Sequence, residues 1–200
     1  MRFLLYNIRY ATGTGERFHM PVSVVGYLRP TTEHLGRITE FILSVHPDIV
    51  GLVEADGGSF RAGRQSQPAA IAEALGHYHV YRTKYAKGSW AHQFPVLKNQ
   101  GNAFLTKKEI RKQKCHYFRS GIKRLVIELE LDDVTILLVH LSLKFRHRHY
   151  QLWELFSLIK QIKKPLIVAG DFNVFRGPQE VQLFLAATGL QNANAKGLPT

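Results

Sequence analysis

Short apolar segments separated by amphipathic ones are the feature that most limits the folds open to this chain. Each apolar segment has four to seven residues, which suits a buried strand and is too short for a core helix. Most are continuously apolar, as expected of strands that are covered on both faces. These segments lie at residues 3–6, 48–53, 102–106, 125–131, 134–140 and 166–170.

Four other segments carry apolar residues at helical spacing and predict amphipathic helices. They span residues 34–45, 68–75, 150–162 and 178–187. Strands and helices alternate, apart from one predicted hairpin at Asp132–Asp133. The pattern therefore predicts an α/β fold with a mixed sheet. The length of 200 residues suits a single domain.

Composition limits the classes of partner and site. Lys and Arg total 27 against 15 Asp and Glu, a formal net charge of +12. This excess favours polyanions such as nucleic acid and anionic lipid, or phosphorylated small molecules. A single cysteine excludes an intrachain disulfide and a four-cysteine zinc site. Since no run approaches the roughly 18 apolar residues of a transmembrane helix, we expect a cytoplasmic protein without a membrane span.

Polar side chains follow the apolar strands at the point where each strand ends. They are Asn7, Glu54, His140 and the pair Asp171 and Asn173. In open α/β folds, ligands bind beyond the carboxyl ends of the strands. The carboxylate of Glu54 and the amide oxygen of Asn7 suit Mg²⁺, or alternatively Mn²⁺. With Asp171 to orient water and His140 to protonate a leaving oxygen, the set predicts metal-assisted hydrolysis of a phosphate ester.

At these residues the chain resembles the endonuclease/exonuclease/phosphatase superfamily, the deoxyribonuclease I-like phosphoesterases. The motifs occur in the family order over residues 3–176, which is far more specific than any one of them alone. They are Tyr6–Arg9, Pro47–Asp56, Gly101–Thr106, Val139–Leu141, Arg148 with Gln151, and Gly170–Asn173.

The resemblance implies a four-layer α/β/β/α sandwich with two mixed sheets and a Mg²⁺-dependent site at one edge. It also implies that Glu54 is the principal metal ligand, with Asn7 beside it. Asp171 would position the attacking water, Asn173 would bind the scissile phosphate, and His140 would assist the leaving group.

Two further residues are weaker candidates. Asn102 and Arg148 would support the site or bind its phosphate. Arg148 is equally compatible with a solvated start of the helix that follows, and the sequence leaves this choice open.

The family pattern ends with a Ser-Asp-His motif that has no counterpart in these 200 residues. We therefore expect residues 1–200 to form one domain, truncated at its C-terminal end, with unpaired strands near that edge. Loss of an acid–histidine pair typically removes several orders of magnitude of rate. Whether the 200 residues alone are active stays open at this point.

The favoured interpretation is a phosphodiesterase acting on nucleic acid, either DNA or RNA. One alternative is hydrolysis of a phospholipid or phosphorylated small molecule, because a loop at residues 84–98 carries Trp90 and Phe94. Another alternative, of a different class, is a noncatalytic polyanion-binding module with a degenerate site. The oligomeric state is not predicted.

Overall fold

Eight strands form two four-stranded mixed sheets. The structure, a computed structural model, describes residues 1–13, 30–85 and 94–193. The first sheet has the order β1-β2-β4-β3 and the second the order β5-β6-β7-β8, and each contains one parallel pair. The strands are β1 Phe3–Asn7, β2 Ile49–Asp56, β3 Tyr78–Thr83, β4 Gln100–Thr106, β5 Lys112–Tyr117, β6 Leu125–Glu130, β7 Thr135–His140 and β8 Leu166–Asp171.

Four α-helices flank the sheets: α1 Thr32–Val45, α2 Gln67–Leu75, α3 Phe145–Ile159 and α4 Gln179–Thr188. Local signals explain their ends. At the start of α2, the Ser66 hydroxyl accepts a hydrogen bond from the Ala69 backbone N–H. Gly76 and Gly189 follow α2 and α4 in left-handed conformation, which glycine adopts without steric cost.

Three apolar cores separate four layers. Phe104 and Ile127 belong to the core between the two sheets. Ile42 of α1 packs in a second core against the outer face of the first sheet, and Leu155 of α3 packs in a third core against the second sheet. Alternate residues of one strand point to opposite faces, so each central strand contributes to two cores. The predicted four-layer α/β/β/α sandwich with two mixed sheets is confirmed.

A β-bulge interrupts the regular pairing of β2 with β4. The register against β4 shifts between Leu52 and Ala55, and Glu54 has a φ angle of 55°. As a result, Val53 and Ala55 pack in different cores. Bulges often redirect a side chain beside a functional site, and here the redirected residue is Glu54.

The outer strands β1 and β8 lie at the same side of the sandwich and pack against each other. Within the described residues each pairs with one strand only. Every residue of β8 is half-buried, whereas every residue of its neighbour β7 is buried. Among the strands that the structure describes, none pairs with the outer side of β8.

The structure departs from the sequence-based elements in three places. Strands β3 and β5 were not predicted, since both are edge strands with mainly polar or half-buried residues. Helix α3 begins at Phe145 and not at residue 150, because its first turn is basic and carries no apolar stripe.

The turn after β4 and the loop at residues 84–98 carry basic and aromatic residues. The basic turn after β4 is neutralised by ion pairs such as Lys108 with Asp133 and Arg111 with Asp132. Trp90, proposed as a contact residue, lies outside the described residues. None of the helices described is long and apolar enough to cross a membrane.

Candidate active site

Strand ends from both sheets converge on the imidazole of His140. The Glu54 carboxylate, from the first sheet, lies 3.8 Å from His140 Nε2. The Asp171 carboxylate, from the neighbouring strand of the second sheet, lies 3.4 Å from the same atom. Asn7, at the end of β1, donates a hydrogen bond from Nδ2 to Asp171 Oδ2 at 3.2 Å. The structure thus brings these four predicted site residues together.

His140 is buried, with a side chain only 6% exposed. Burial lowers the pKa of His140 below its ordinary value, although the hydrogen bond with Asp171 opposes this effect. His140 is therefore neutral at pH 7, with one ring nitrogen that donates and one that accepts. The N–H of such a ring can donate a hydrogen bond to a developing oxyanion.

Asp171 is ionised at neutral pH. Burial alone would raise its pKa, but contact with His140 and a hydrogen bond from the Asn173 backbone hold the pKa below its usual range. The Asn173 N–H donates to Asp171 Oδ1 at 3.0 Å. Since an ionised carboxylate only accepts hydrogen bonds, Asp171 suits a role in orienting water.

Asn173 sits in a left-handed conformation with a φ angle of 51°. Its side-chain Nδ2 donates to the Leu141 carbonyl at 2.8 Å, and the Leu141 N–H donates to the Asp171 carbonyl at 2.9 Å. These bonds tie the loop after β8 to the loop after β7. One amide proton of Asn173 is bound to protein in this arrangement, and the role in binding phosphate stays a prediction.

Asn102 supports the backbone of Glu54. Its Oδ1 accepts a hydrogen bond from the Glu54 N–H at 3.2 Å, and the residue is buried. The same side chain lines a small cleft together with Lys84, Lys123 and His140. Asn102 is thus placed to hold the bulge that aims Glu54.

Lys123 belongs to this cluster, although no sequence motif indicated it. Its Nζ lies 3.4 Å from Glu54 Oε1 and also forms a short contact with His140 Nε2. A protonated lysine only donates, so this contact needs Nε2 as an acceptor, whereas a hydrogen bond to Asp171 needs Nε2–H. Lys123 and Asp171 therefore compete for one ring nitrogen.

Lys84 is a second lysine that the sequence did not single out. Burial lowers the pKa of Lys84 to about 8, an effect that Glu54 opposes and Lys123 strengthens. Its Nζ donates to the Tyr10 hydroxyl at 2.9 Å. The cleft therefore holds two ammonium groups beside its carboxylate, an arrangement suited to binding an anion such as phosphate.

Arg148 has protein partners at every guanidinium nitrogen. Its Nε donates to Glu180 Oε2 at 3.0 Å, and Nη2 pairs with the same carboxylate. Its Nη1 donates to the carbonyls of Ser142 and Leu143, each at 2.9 Å. The side chain is 2% exposed, so the structure excludes the solvated alternative. These contacts make Arg148 an anchor of the loop after β7, and direct binding of phosphate stays a prediction.

Gln151, from the same motif, anchors a second loop. Its Nε2 lies 2.8 Å from the Ser120 carbonyl and 2.7 Å from that of Lys123. Its Oε1 accepts from the Ser142 N–H at 2.9 Å. Helix α3 thus holds the loop that delivers Lys123 as well as the loop that follows His140.

The oxygen donors at this edge fit a hard divalent cation. Among the residues described, no three His, Cys, Asp or Glu side chains are placed to share a metal ion, as a protein-ligated zinc site would need. Mg²⁺ instead takes one or two carboxylates and completes its shell with water and substrate phosphate. Glu54 offers such a carboxylate, and Asn7 Oδ1, which accepts a hydrogen bond from the Arg9 N–H at 3.1 Å, keeps a second lone pair. Their roles as metal ligands stay a prediction.

Known structures with the same architecture are similar to this chain over most of its length. The human nocturnin catalytic domain with bound sulfate gives a TM-score of 0.66 at 20% identity, over 97% of this chain and 72% of that one. Staphylococcus aureus beta toxin with bound magnesium ions gives 0.64 at 16%, over 96% and 71%. Caenorhabditis elegans TDP2 gives 0.53 at 21%, over 74% and 44%, so this chain spans less than half of TDP2. Identities this low show a shared fold.

The sequence itself gives the family. No curated protein matches it significantly. Residues 5–199, nearly the whole chain, match the sequence model of the Endonuclease/Exonuclease/phosphatase family. Endonucleases, exonucleases and phosphatases all hydrolyse phosphate esters, which agrees with the side chains gathered around His140. The chain therefore belongs to the endonuclease/exonuclease/phosphatase family of phosphate-ester hydrolases.

Proposed function

We propose that this chain is a Mg²⁺-dependent phosphodiesterase that hydrolyses nucleic acid by attack of water on phosphorus. The observation that carries the proposal is the convergence of Glu54 and Asp171, from different sheets, on the buried imidazole of His140. Only His140 is fully buried, but placing two partly buried carboxylates beside it and two lysines is costly, and such clusters of charge are typical of sites that bind or react with a charged ligand.

The roles follow from the protonation states. Ionised Asp171 accepts a hydrogen bond from the attacking water and orients it toward phosphorus. The ring N–H of neutral His140 donates a hydrogen bond to the leaving oxygen as the bond to phosphorus breaks and negative charge develops on that oxygen. The proton released by the water passes to the Asp171 carboxylate. Lys123 and Lys84 place positive charge where the phosphate oxygens gain negative charge. A divalent cation held by Glu54 and Asn7 would supply Lewis-acid stabilisation of the phosphoryl oxygens.

Each finer element of the proposal has its own support. The beta toxin structure with bound magnesium ions supports Mg²⁺, and Mn²⁺ is the alternative metal. The nocturnin structure with bound sulfate supports an anion site in this fold. The net charge of +12 supports nucleic acid over a neutral or small substrate.

The first experiment measures hydrolysis of bis-p-nitrophenyl phosphate and of plasmid DNA, with Mg²⁺, with Mn²⁺ and with EDTA. We expect metal-dependent turnover that falls by about a hundred-fold or more in Glu54→Gln and Asp171→Asn, since both remove charge from the cluster. Glu40→Gln is the matched control, because Glu40 is exposed on α1.

The outcomes separate the candidate functions. Turnover of both substrates, lost in both variants, supports the proposal. Turnover of the diester without cleavage of DNA would contradict the substrate and favour a lipid or small-molecule phosphoesterase. DNA binding without turnover of either substrate, also in any longer form of the chain, would contradict catalysis and favour a noncatalytic polyanion-binding module.

A further inference from the structure

An exposed set of aromatic and cationic side chains lies beside the candidate active site. It is built from the first turns of α3 and from the loop after β8, and we call it the α3 platform. Three of its aromatic side chains are well exposed: Phe145 at 44%, Tyr150 at 46% and Phe175 at 68%. Apolar surface of this kind is costly to leave in water and marks sites of interaction. The platform comprises Phe145, Arg146, His149, Tyr150, Phe175 and Arg176.

The planar groups of the α3 platform are stacked in sequence. The Arg176 guanidinium lies over the Phe145 ring, 4.8 Å from its centroid. Phe145 stacks on His149 at 6.4 Å with an interplanar angle of 27°. His149 meets the edge of Tyr150 at 6.3 Å, and Arg146 lies over the Tyr150 ring at 5.9 Å. The i, i+4 spacing along α3 brings Phe145 to His149 and Arg146 to Tyr150.

The charge of the platform is uncompensated by nearby acid. Glu180 is paired with buried Arg148 and also accepts a hydrogen bond from the Arg176 N–H. Arg146 and Arg176 are exposed and form no ion pair among the described residues. The basic turn after β4 is different, because its cations are paired with Asp132 and Asp133.

The platform is connected directly to the site. Phe175 and Arg176 follow Asn173 on the loop after β8, and Phe145 begins the helix that follows His140. Buried Arg148 bridges the two parts, since its guanidinium lies 5.8 Å from the Phe145 ring and 5.9 Å from the Phe175 ring. The platform is therefore built on the chain segments that follow His140 and Asp171.

We infer that the α3 platform binds single-stranded nucleic acid and directs it into the active site. Unpaired bases have free faces that stack on aromatic rings and guanidinium groups, while arginines contact the phosphates. Duplex bases have no free faces, so single strands should bind more tightly. Aromatic rings that lie against guanidinium groups suit stacking on bases. They are less suited to insertion into a bilayer, because insertion favours apolar side chains without charged neighbours. Delivery of the strand to an active site rests on the proposed function. Binding of the strand to the platform is measurable without hydrolysis.

The test is fluorescence anisotropy of a labelled twelve-residue oligothymidylate in EDTA, beside a duplex of equal length and phosphatidylserine-containing vesicles. Phe145→Leu and Phe175→Leu keep apolar character and remove the planar ring. We expect each to weaken binding of the single strand by about five-fold or more. In the double variant Arg146→Gln, Arg176→Gln, the slope of log K for oligothymidylate binding against log[salt] should become shallower by about 1.4. This is the change expected for the loss of two phosphate contacts on a single strand.

Matched controls are Tyr78→Leu and Lys112→Gln, which change exposed residues on the edge strands β3 and β5. They should leave binding unchanged, and thermal melting should show that all variants are folded. Bis-p-nitrophenyl phosphate hydrolysis, which needs no platform, should persist in the platform variants. If the unaltered protein does not hydrolyse this diester, the proposed function is contradicted. The measured binding of oligothymidylate still decides whether the platform binds single strands.

Two results would overturn the inference. One is oligothymidylate binding that is unaffected by the platform variants. The other is vesicle binding that depends on Arg146 and Arg176 and survives Phe145→Leu, with no preference for single strands over duplex. The latter would identify a lipid-binding surface.

Discussion

Lys84 is a residue of the cleft whose charge changes at mildly alkaline pH. Because burial lowers its pKa to about 8, the ammonium loses its proton as the pH rises through that value. The unfolded chain keeps the proton to about pH 10.4, so the unfolded state binds more protons between these values. Folding stability from this group therefore rises with pH in that window, while positive charge in the cleft falls.

The expected result is a KM for bis-p-nitrophenyl phosphate that increases as the pH rises through about 8. Lys84→Arg should remove this increase, since arginine stays protonated in proteins. Lys112→Arg, at an exposed edge position, is the control. KM measured from pH 6.5 to 9.5 checks the prediction, and a KM that rises equally in Lys84→Arg would contradict it.

At the residue scale, the sequence predicted the members of the site whose positions follow from strand ends. Asn7, His140 and Asp171 each end a strand, whereas Glu54 lies at the bulge, two residues before the end of β2. Their meeting at one edge follows from the topology of α/β sheets. Lys123 had no such signal, because it lies in a loop held by contacts from a helix that is distant in sequence. Burial of lysine is rare, so composition argued against it too.

Arg148 shows a second limit at this scale. An arginine beside other basic residues at a helix start is usually solvated, yet this one is buried and paired with Glu180. The partner lies 32 positions away, on another helix. Such pairing depends on tertiary packing of α3 against α4 and leaves no local pattern.

Strand β8 depends on Gly170 at the element scale. A Cβ atom at this position would lie 1.9 Å from the Val139 carbonyl oxygen, and the φ angle of 152° disfavours other residues. Gly170→Ala would therefore push β8 away from β7 and displace Asp171, the next residue. We expect loss of most of the hydrolysis and a lowered melting temperature.

Gly36→Ala is the matched control, since a Cβ atom there meets nothing within 4 Å. Gly36 lies inside α1, where alanine should stabilise the helix by about 0.5–1 kcal/mol. Melting curves and diester hydrolysis of the two variants check this pair. Equal melting temperatures for both variants would show that β8 tolerates a side chain at that point.

Elements were predicted where one face is strongly apolar and missed where it is not. Central strands β2, β6 and β7 carry almost wholly buried residues, so their apolar runs were visible. Strand β5 has the sequence KQKCHY, and pairing with β6 makes it a strand despite that composition. Tertiary pairing of this kind overrides local propensity.

Charge acts at the scale of the whole molecule. The net charge is +12, and ion pairs neutralise the cations of the turn after β4, so the excess lies elsewhere, including the cleft and the α3 platform. We expect hydrolysis of DNA at subsaturating substrate to fall steeply as salt is raised from 50 to 200 mM, because DNA binding releases counterions. Hydrolysis of bis-p-nitrophenyl phosphate, with one charge, should change little in parallel assays. If salt lowers the hydrolysis of both substrates equally, the positive charge of the protein does not contribute to DNA binding in this way.

The side of the sandwich formed by β1 and β8 has a consequence for how the site keeps its shape. Each of these strands pairs on one side within the described residues, and their ends carry Asn7 and Asp171. Strands with fewer partners open at lower free energy than the core around them. The hydrogen bond between Asn7 and Asp171 joins the two sheets where these two outer strands meet. A ligand that contacts both residues would therefore hold β1 and β8 together. We expect both strands to become more ordered when the site is occupied.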